Sequence, residues 1–348
     1  MATSGTTSQT VISVQSLIDH GARRAGKLAE ELTSEQVLSA KESLYYVLSN
    51  LANRGIQYWC IDKTVIGLIP DKYIYELPAS TVDILNANYR TVLANTNQPF
   101  SSSGVTANAF DGEYINTCQL TNNSGNIGVY TSAYIGTVGI LPAVSGSVTI
   151  DIQVSIDGTT WTTVYSPGAV NWQTGVWLYY DLDPSAQGLC WRILQTAGVN
   201  MGVHQVVFGS NATEIPLARM NRDDYTNLPN KNFTNNWPLQ YWFDRTIPQP
   251  AMYLWPVPSG FAPQLVVWRH RHIQDVGDLS GELEIPQRWY LAIQNMLAHQ
   301  MAMELPTVDA NRIVYCEQQA EKYWSQAEQE ERDKSPIYFA PNITCYTR

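Results

Sequence analysis

Apolar residues at Val14, Leu17, Ile18, Ala22, Ala25 and Leu28 recur at three-and-four spacing, which predicts an amphipathic helix over Val11 to Leu28, weakened by Gly21 and Gly26. Thr33 and Gln36 have capping-box spacing. Val37, Ala40, Leu44, Val47, Leu48 and Leu51 then mark a stronger helix ending near Gly55. Short runs follow, YWCIDKTVIGLI, KYIYELP and TVDILNANYR, broken by Pro70, Asp71, Pro78 and Ser80, and they predict a small strand meander. From Val92 to Phe208 the chain is rich in Gly, Ser, Thr and Asn with alternating β-branched and aromatic positions, predicting an all-β insert. Its clearest signal is Val148, Ile150, Ile152, Val154 and Ile156 at period two, followed by Asp157-Gly158 and TTWTTVY, a hairpin. Past an Asn-rich stretch come LQYWFDR, AMYLWPV and QLVVWRHRHI, a second meander. Pro286 opens a helix through Trp289, Ile293, Met296, Leu297 and Met301 to about Glu304, and Thr307 can cap a last helix from Val308 to about Asp333.

This pattern predicts an α+β protein in which helices at both chain ends and two meanders build one discontinuous domain, residues 1–91 and 209–334. An all-β sandwich, 92–208, interrupts it, and 335–348 forms an apolar and aromatic tail. Composition agrees. At 348 residues with 15% charged and 44% hydrophobic residues the chain can bury a substantial core. Trp and Tyr, 11 and 20, outnumber the 7 Phe, and rings with a polar handle suit half-buried surfaces such as subunit interfaces or sugar platforms.

The net charge of -10 opposes a strong nonspecific grip on nucleic acid or anionic membrane. Within the insert six acids stand against Arg192 alone. The five cysteines, Cys60, Cys118, Cys190, Cys316 and Cys345, are scattered without C-x-x-C spacing, which predicts neither a zinc cage nor a disulfide framework. Polar residues 1–10 lack the blocks of a secretion signal and no apolar run has membrane-spanning length, predicting synthesis in the cytoplasm.

Candidate chemistry is sparse. Alternation on one strand points His270 and His272 the same way, a spacing that can bind metal, but no third ligand is identifiable and structural histidines are the simpler reading. Asp275, Asp278, Glu282 and Glu284 lack calcium-loop spacing and read as a solvated acidic loop. No P-loop, nucleophile elbow or dinucleotide fingerprint occurs, so neither catalysis nor a cofactor is expected. Arg269, Arg271 and Arg288 could meet carboxylates of a neighbouring subunit or phosphate oxygens.

The two opening helices, the run NRGIQYW into short strands, the phrase MNRDDYTNLPNKNFTNNWPLQYWFDR, then MYLWPVP and a closing helix pair together resemble the head-to-tail adaptor proteins of tailed, short-tailed bacteriophages, over roughly 1–91 and 209–335. The resemblance implies a virion protein: a homo-oligomeric, twelvefold ring beneath the portal protein, surrounding the DNA channel and presenting a platform to the tail nozzle. Compact members of that family lack the β insert, so its role is not implied. On this reading the tail residues Pro336, Ile337, Tyr338, Phe339 and Tyr346 dock on the portal, and Arg219, Arg222 and Lys231 touch passing double-stranded DNA without reading sequence. The insert has its own resemblance, VSIDGTTWTTV, to galactose-binding jelly-roll modules, and Trp161, Trp172, Trp177 and Tyr180 could stack on sugar rings or touch tail fibres. The competing reading of these rings is sandwich core. A carbohydrate-binding or adhesion protein acting through the insert is therefore the alternative function.

Overall fold

The computed structural model describes residues 12–55, 58–121, 124–183, 185–260, 262–306 and 308–330. In chain order they form α1 (Val14–Ala25), α2 (Ser34–Arg54), β1 (Ile61–Gly67), β2 (Ile74–Glu76) and β3 (Thr81–Asn95). Then come β4 (Pro99–Ser101), β5 (Cys118–Gln119), β6 (Asn126–Tyr130), β7 (Thr137–Pro142), β8 (Gly146–Ser155), β9 (Thr162–Trp172), β10 (Leu178–Asp181), β11 (Cys190–Gly198) and β12 (Gly202–Pro216). The chain closes with β13 (Ala218–Met220), α3 (Arg222–Thr226), β14 (Thr234–Asn235), β15 (Gln240–Asp244), β16 (Ala251–Trp255), β17 (Val257–Pro258), β18 (Gln264–Arg271), α4 (Tyr290–Glu304) and α5 (Ala310–Glu330). The fold is mixed, mostly β with a few helices.

Two compact units divide the chain, the first from residues 1–61 and 270–348 and the second from 62–269. The first is helical. Ser13 caps α1 by accepting from the Ser16 amide at 3.2 Å, and Gly26 ends it at φ 102°, a left-handed turn that glycine takes without strain. The Thr33–Gln36 box forms as expected, its two bonds at 3.2 and 3.3 Å. Helices from the two chain ends share one core: Leu17 and Ile18 of α1, Leu44 and Leu51 of α2, Ile293 and Leu297 of α4 are all at most 2% exposed. Burying each such side chain contributes roughly 1.5–3 kcal/mol, so the terminal segments hold each other folded.

The second unit holds the sheets found among the described residues, save the ends of β1 and β18. A seven-stranded sheet in the order β1-β18-β3-β12-β7-β10, with β5 on β12, faces a five-stranded sheet in the order β4-β6-β11-β8-β9. Together they make a β-sandwich whose core holds Ile127, Val138, Ile140, Val148, Ile150, Ile152, Trp172, Trp191 and Phe208. Alternation on β8 is as the sequence predicts through Val154, but Ile156 lies beyond the strand and is 74% exposed.

The boundaries at 92 and 208 do not separate compact units. Strands β3 and β12 run straight through both positions as one antiparallel pair, from Phe208 opposite Asn95 to Pro216 opposite Asn88. Their far halves, with β18 and a small sheet β13-β15-β16-β2, bury Ile84, Tyr89, Tyr241, Met252, Leu254 and Leu265. The meanders thus belong with the sandwich and not with the helices. A change of composition marked a change in loop style, while backbone pairing continued across it.

Candidate functional site

On the outer side of the five-stranded sheet one row of side chains crosses every strand. Phe100 pairs with Gly128, Gly128 with Arg192, Arg192 with Gln153 and Gln153 with Thr163. Strand alternation sets this row outward because the neighbours of Arg192, Trp191 and Ile193, point into the core at 0% exposure. The Arg192 Nε donates to Gln153 Oε1 at 2.9 Å, and the Gln153 amide donates to Thr163 Oγ1 at 3.1 Å. Burial pulls the Arg192 guanidinium below its ordinary range, and its Cζ lies 4.0 Å from the centre of the Trp161 ring, a cation–π contact. Phe100 adds its ring 4.8 Å from Tyr130 and 6.4 Å from Trp161. Glycine is needed at 128: a Cβ there would lie 2.7 Å from Phe100 Cζ and 2.1 Å from the Trp191 carbonyl oxygen. Tyr130 keeps 42% of its surface exposed. The result is an aromatic platform with one charge and an amide at its centre, able to stack on a flat apolar face and hydrogen-bond at its edge.

The adjoining loop is built by Asp157, whose carboxylate accepts from the amides of Thr160 and Thr159 at 2.7 and 2.8 Å and from the hydroxyls of Thr160 and Ser155. These donors, Thr160 first, hold its carboxyl well below the usual range. An open cavity of about 720 Å³ lies against it, lined by Asp157, Thr160, Thr162, Asp183 and Gln187 among others.

The expected sugar contacts separate. Trp161 sits on the platform, but Trp172 is wholly buried in the sandwich core, and Trp177 is 5% exposed and stacked on Tyr179 at 5.2 Å. Tyr180 packs on the core 5.7 Å from Tyr165, and burial, aided by that neighbour, raises its hydroxyl to about 12. These three serve packing, Trp172 and Tyr180 in the sandwich core and Trp177 in a smaller cluster with Leu141, Val207 and Ala262. Phe100, Tyr130 and Gln153 were not singled out by sequence. The available signal was the outward register of Gln153 and Arg192, visible only once the strands are paired.

The basic residues divide in the same way. Arg269 is buried, donating to Thr64, Ser80, Thr81 and, at 3.2 Å, Asp62, so the phosphate or neighbour expected for it is replaced by partners in its own unit. Arg271 forms a two-pronged pair with Glu284, with the Nη1 bond at 2.8 Å. Hydrogen bonding from Arg271 outweighs burial and holds the Glu284 carboxyl below its ordinary value. Arg288 is exposed. Arg219 shares Asp83 with Arg245 at 2.9 and 3.0 Å, Lys231 donates to the Thr226 carbonyl at 3.2 Å, and Arg222 is exposed at the start of α3. Beside them Tyr225, Trp242 and Tyr253 stack with centroids 4.7–5.3 Å apart. Pro336, Ile337, Tyr338, Phe339 and Tyr346 lie outside the described residues. No group of three or more potential metal ligands occurs among the described residues, nor is any helix there long and apolar enough to cross a membrane.

No family model and no curated protein matches the chain. Among solved structures it is similar to CpGH89CBM32-6 produced by Clostridium perfringens, with 14% identity over 34% of this chain and 97% of that one and a TM-score of 0.30. It is also similar to chitosan-binding module 1 of a chitosanase/glucanase from Paenibacillus sp. IK-5, with 20% identity over 34% and 99% of the two chains and a TM-score of 0.30. A third similar structure is CBM62 from Clostridium thermocellum Xyl5A, with 17% identity over 34% and 99% and a TM-score of 0.28. Each likeness spans about a third of this chain, and none of the three is a phage protein.

Proposed function

We propose that this chain is a non-catalytic assembly protein of the head-to-tail adaptor type, a virion component that rings the DNA channel between portal and tail nozzle. The observation that carries the reading is the shared core of the two chain ends, in which Leu17, Leu44 and Leu297 meet although the whole β unit intervenes. The helices that open and close the segments carrying the resemblance thereby form one compact unit, while the strand phrases of those segments belong to the β unit spliced between them, an arrangement suited to a scaffold that displays a module. The purified full chain mixed with its portal protein is expected to give rings in particle images and a step in mass by light scattering. A monomer that ignores portal would end this reading.

A second reading, carbohydrate binding, is favoured by the Phe100–Tyr130–Trp161–Arg192 platform with its Gln153 amide. Glycan-array screening of the full chain, repeated with W161A, tests it. The expected outcome is a glycan signal lost in the variant, and an array without any signal removes it.

A further inference from the structure

Within the helical unit, the end of α1, the start of α5 and Asn295 of α4 enclose an open groove of about 1020 Å³. Arg23, Arg24, Lys27, Arg312 and His20 line it, against Asp309 as its one carboxylate. None of the four Arg and Lys side chains has a carboxylate partner within 4.0 Å among the described residues. Neutral acceptors position three of them, Arg23 Nε donating to the Asp19 carbonyl at 3.3 Å. Arg312 Nε donates to the Arg24 carbonyl at 2.8 Å, and Arg24 Nη1 donates to Asn295 Oδ1. That asparagine is 3% exposed and is itself oriented by donating its amide to the Leu291 carbonyl at 2.6 Å. The guanidinium groups are therefore aimed without being neutralised, in a chain whose net charge is -10.

The negative end of the α1 dipole accounts for Arg23 and Arg24 in its last turn, an effect of roughly 0.3–1 kcal/mol each. It also accounts for one prong of Arg312, which arrives from α5 and donates to the Arg24 carbonyl, but it does not require Lys27, which follows the helix, nor does it supply the four charges with a counter-ion. Four like charges on one groove repel each other, and a bound polyanion removes that cost. Guanidinium forks match pairs of phosphate oxygens. Asn311 and Gln319 add uncharged donors, and Tyr315, 55% exposed, offers a face for a base. A carboxylate peptide would use the cations and leave that ring without a flat partner.

We propose that this groove binds the phosphodiester backbone of a nucleic acid without reading its sequence. The proposal goes beyond the adaptor reading, in which DNA passes ungripped and phosphate contacts fall on Arg219, Arg222 and Lys231, and it does not depend on ring formation.

The test is fluorescence anisotropy of the full chain with fluorescein-labelled 20-mers, single-stranded and duplex, from low salt upward. Four phosphate contacts give a slope of log K against log salt of about -3 for single strands and about -4 for duplex, alike for unrelated sequences. R23Q/K27Q, which spares the Arg24–Asn295 bond and the Arg312 bond to the Arg24 carbonyl, should lower affinity about tenfold and lower the slope by about 2, with a melting temperature reduced by no more than the few degrees that loss of one helix-end charge costs. Absence of binding at low salt, or equal binding by the variant, overturns the proposal. Inorganic phosphate binding as tightly as the 20-mers would assign the groove to a free anion, and polyglutamate competing as well as oligonucleotide would assign it to an acidic protein. Either result overturns it.

Discussion

Arg90 shows what one residue contributes to the β unit. Its side chain is 4% exposed, yet it meets Glu214 at 2.7 Å, Asp181 at 3.6 Å and Gln264 Oε1 at 3.3 Å, with Lys63 also on Asp181 at 3.5 Å. Removing the charge from a buried pair costs about 3–5 kcal/mol because the partner is left uncompensated. Glu214 and Asp181 retain 40% and 44% side-chain exposure, so water takes over part of that role. Arg90→Met is therefore expected to destabilise the β unit by about 2–3 kcal/mol, measured by urea denaturation followed through tryptophan fluorescence. Nothing local in the sequence marks Arg90, since a lone arginine on a predicted strand carries no spacing signal.

At the scale of elements, β3 and β12 join what composition divides. A fragment of residues 92–208 keeps β8, β9 and β11 but loses most of β3 and the part of β12 that pairs with it. It also loses β1 and β18 from the seven-stranded sheet. A fragment of 62–269 retains all of these pairings except the ends of β1 and β18. The longer fragment is expected to melt in one cooperative transition, while 92–208 melts at a markedly lower temperature or without cooperativity. Calorimetry of the two fragments side by side decides it, and equal melting would mean that the outer strands contribute nothing.

For the whole molecule the ionisable groups set a pH window. Burial alone would raise Glu214 and Asp83, but hydrogen bonds from Arg90 and Asn88, and from Arg219 and Arg245, outweigh it and hold both below their ordinary 4.5 and 3.8. Glu284 is lowered as well by Arg271. Carboxyls depressed in the folded state stabilise it above their unfolded values, and that stability is lost as pH falls from those values through the folded ones. At the other end burial raises Tyr225 and Tyr180 to about 12 from an ordinary 10.0, with neighbouring tyrosines adding to it. Their contribution is present below 10.0 and is lost as pH rises through the folded values. Melting temperature against pH should show a plateau between about pH 5 and 10 that falls on both sides. A maximum near pH 4 would contradict the ion-pair assignments.

By itself the sequence determined the long helices and the clearest strand, because these depend on local spacing and caps: the Thr33–Gln36 box and the alternation on β8 through Val154 form where they are written, while the first helix, expected to reach Leu28, ends at Gly26. Only the tertiary structure decided which strands pair. That choice moved both meanders into the β unit, sent Trp172 and Trp177 inside, left Trp161 beside Arg192, and brought Arg24 and Arg312 to one groove across nearly the whole chain. The reason is physical: helix and turn signals act over a few residues, whereas sheet register and the meeting of distant side chains are settled by long-range hydrogen bonding and shared burial, which no local pattern encodes.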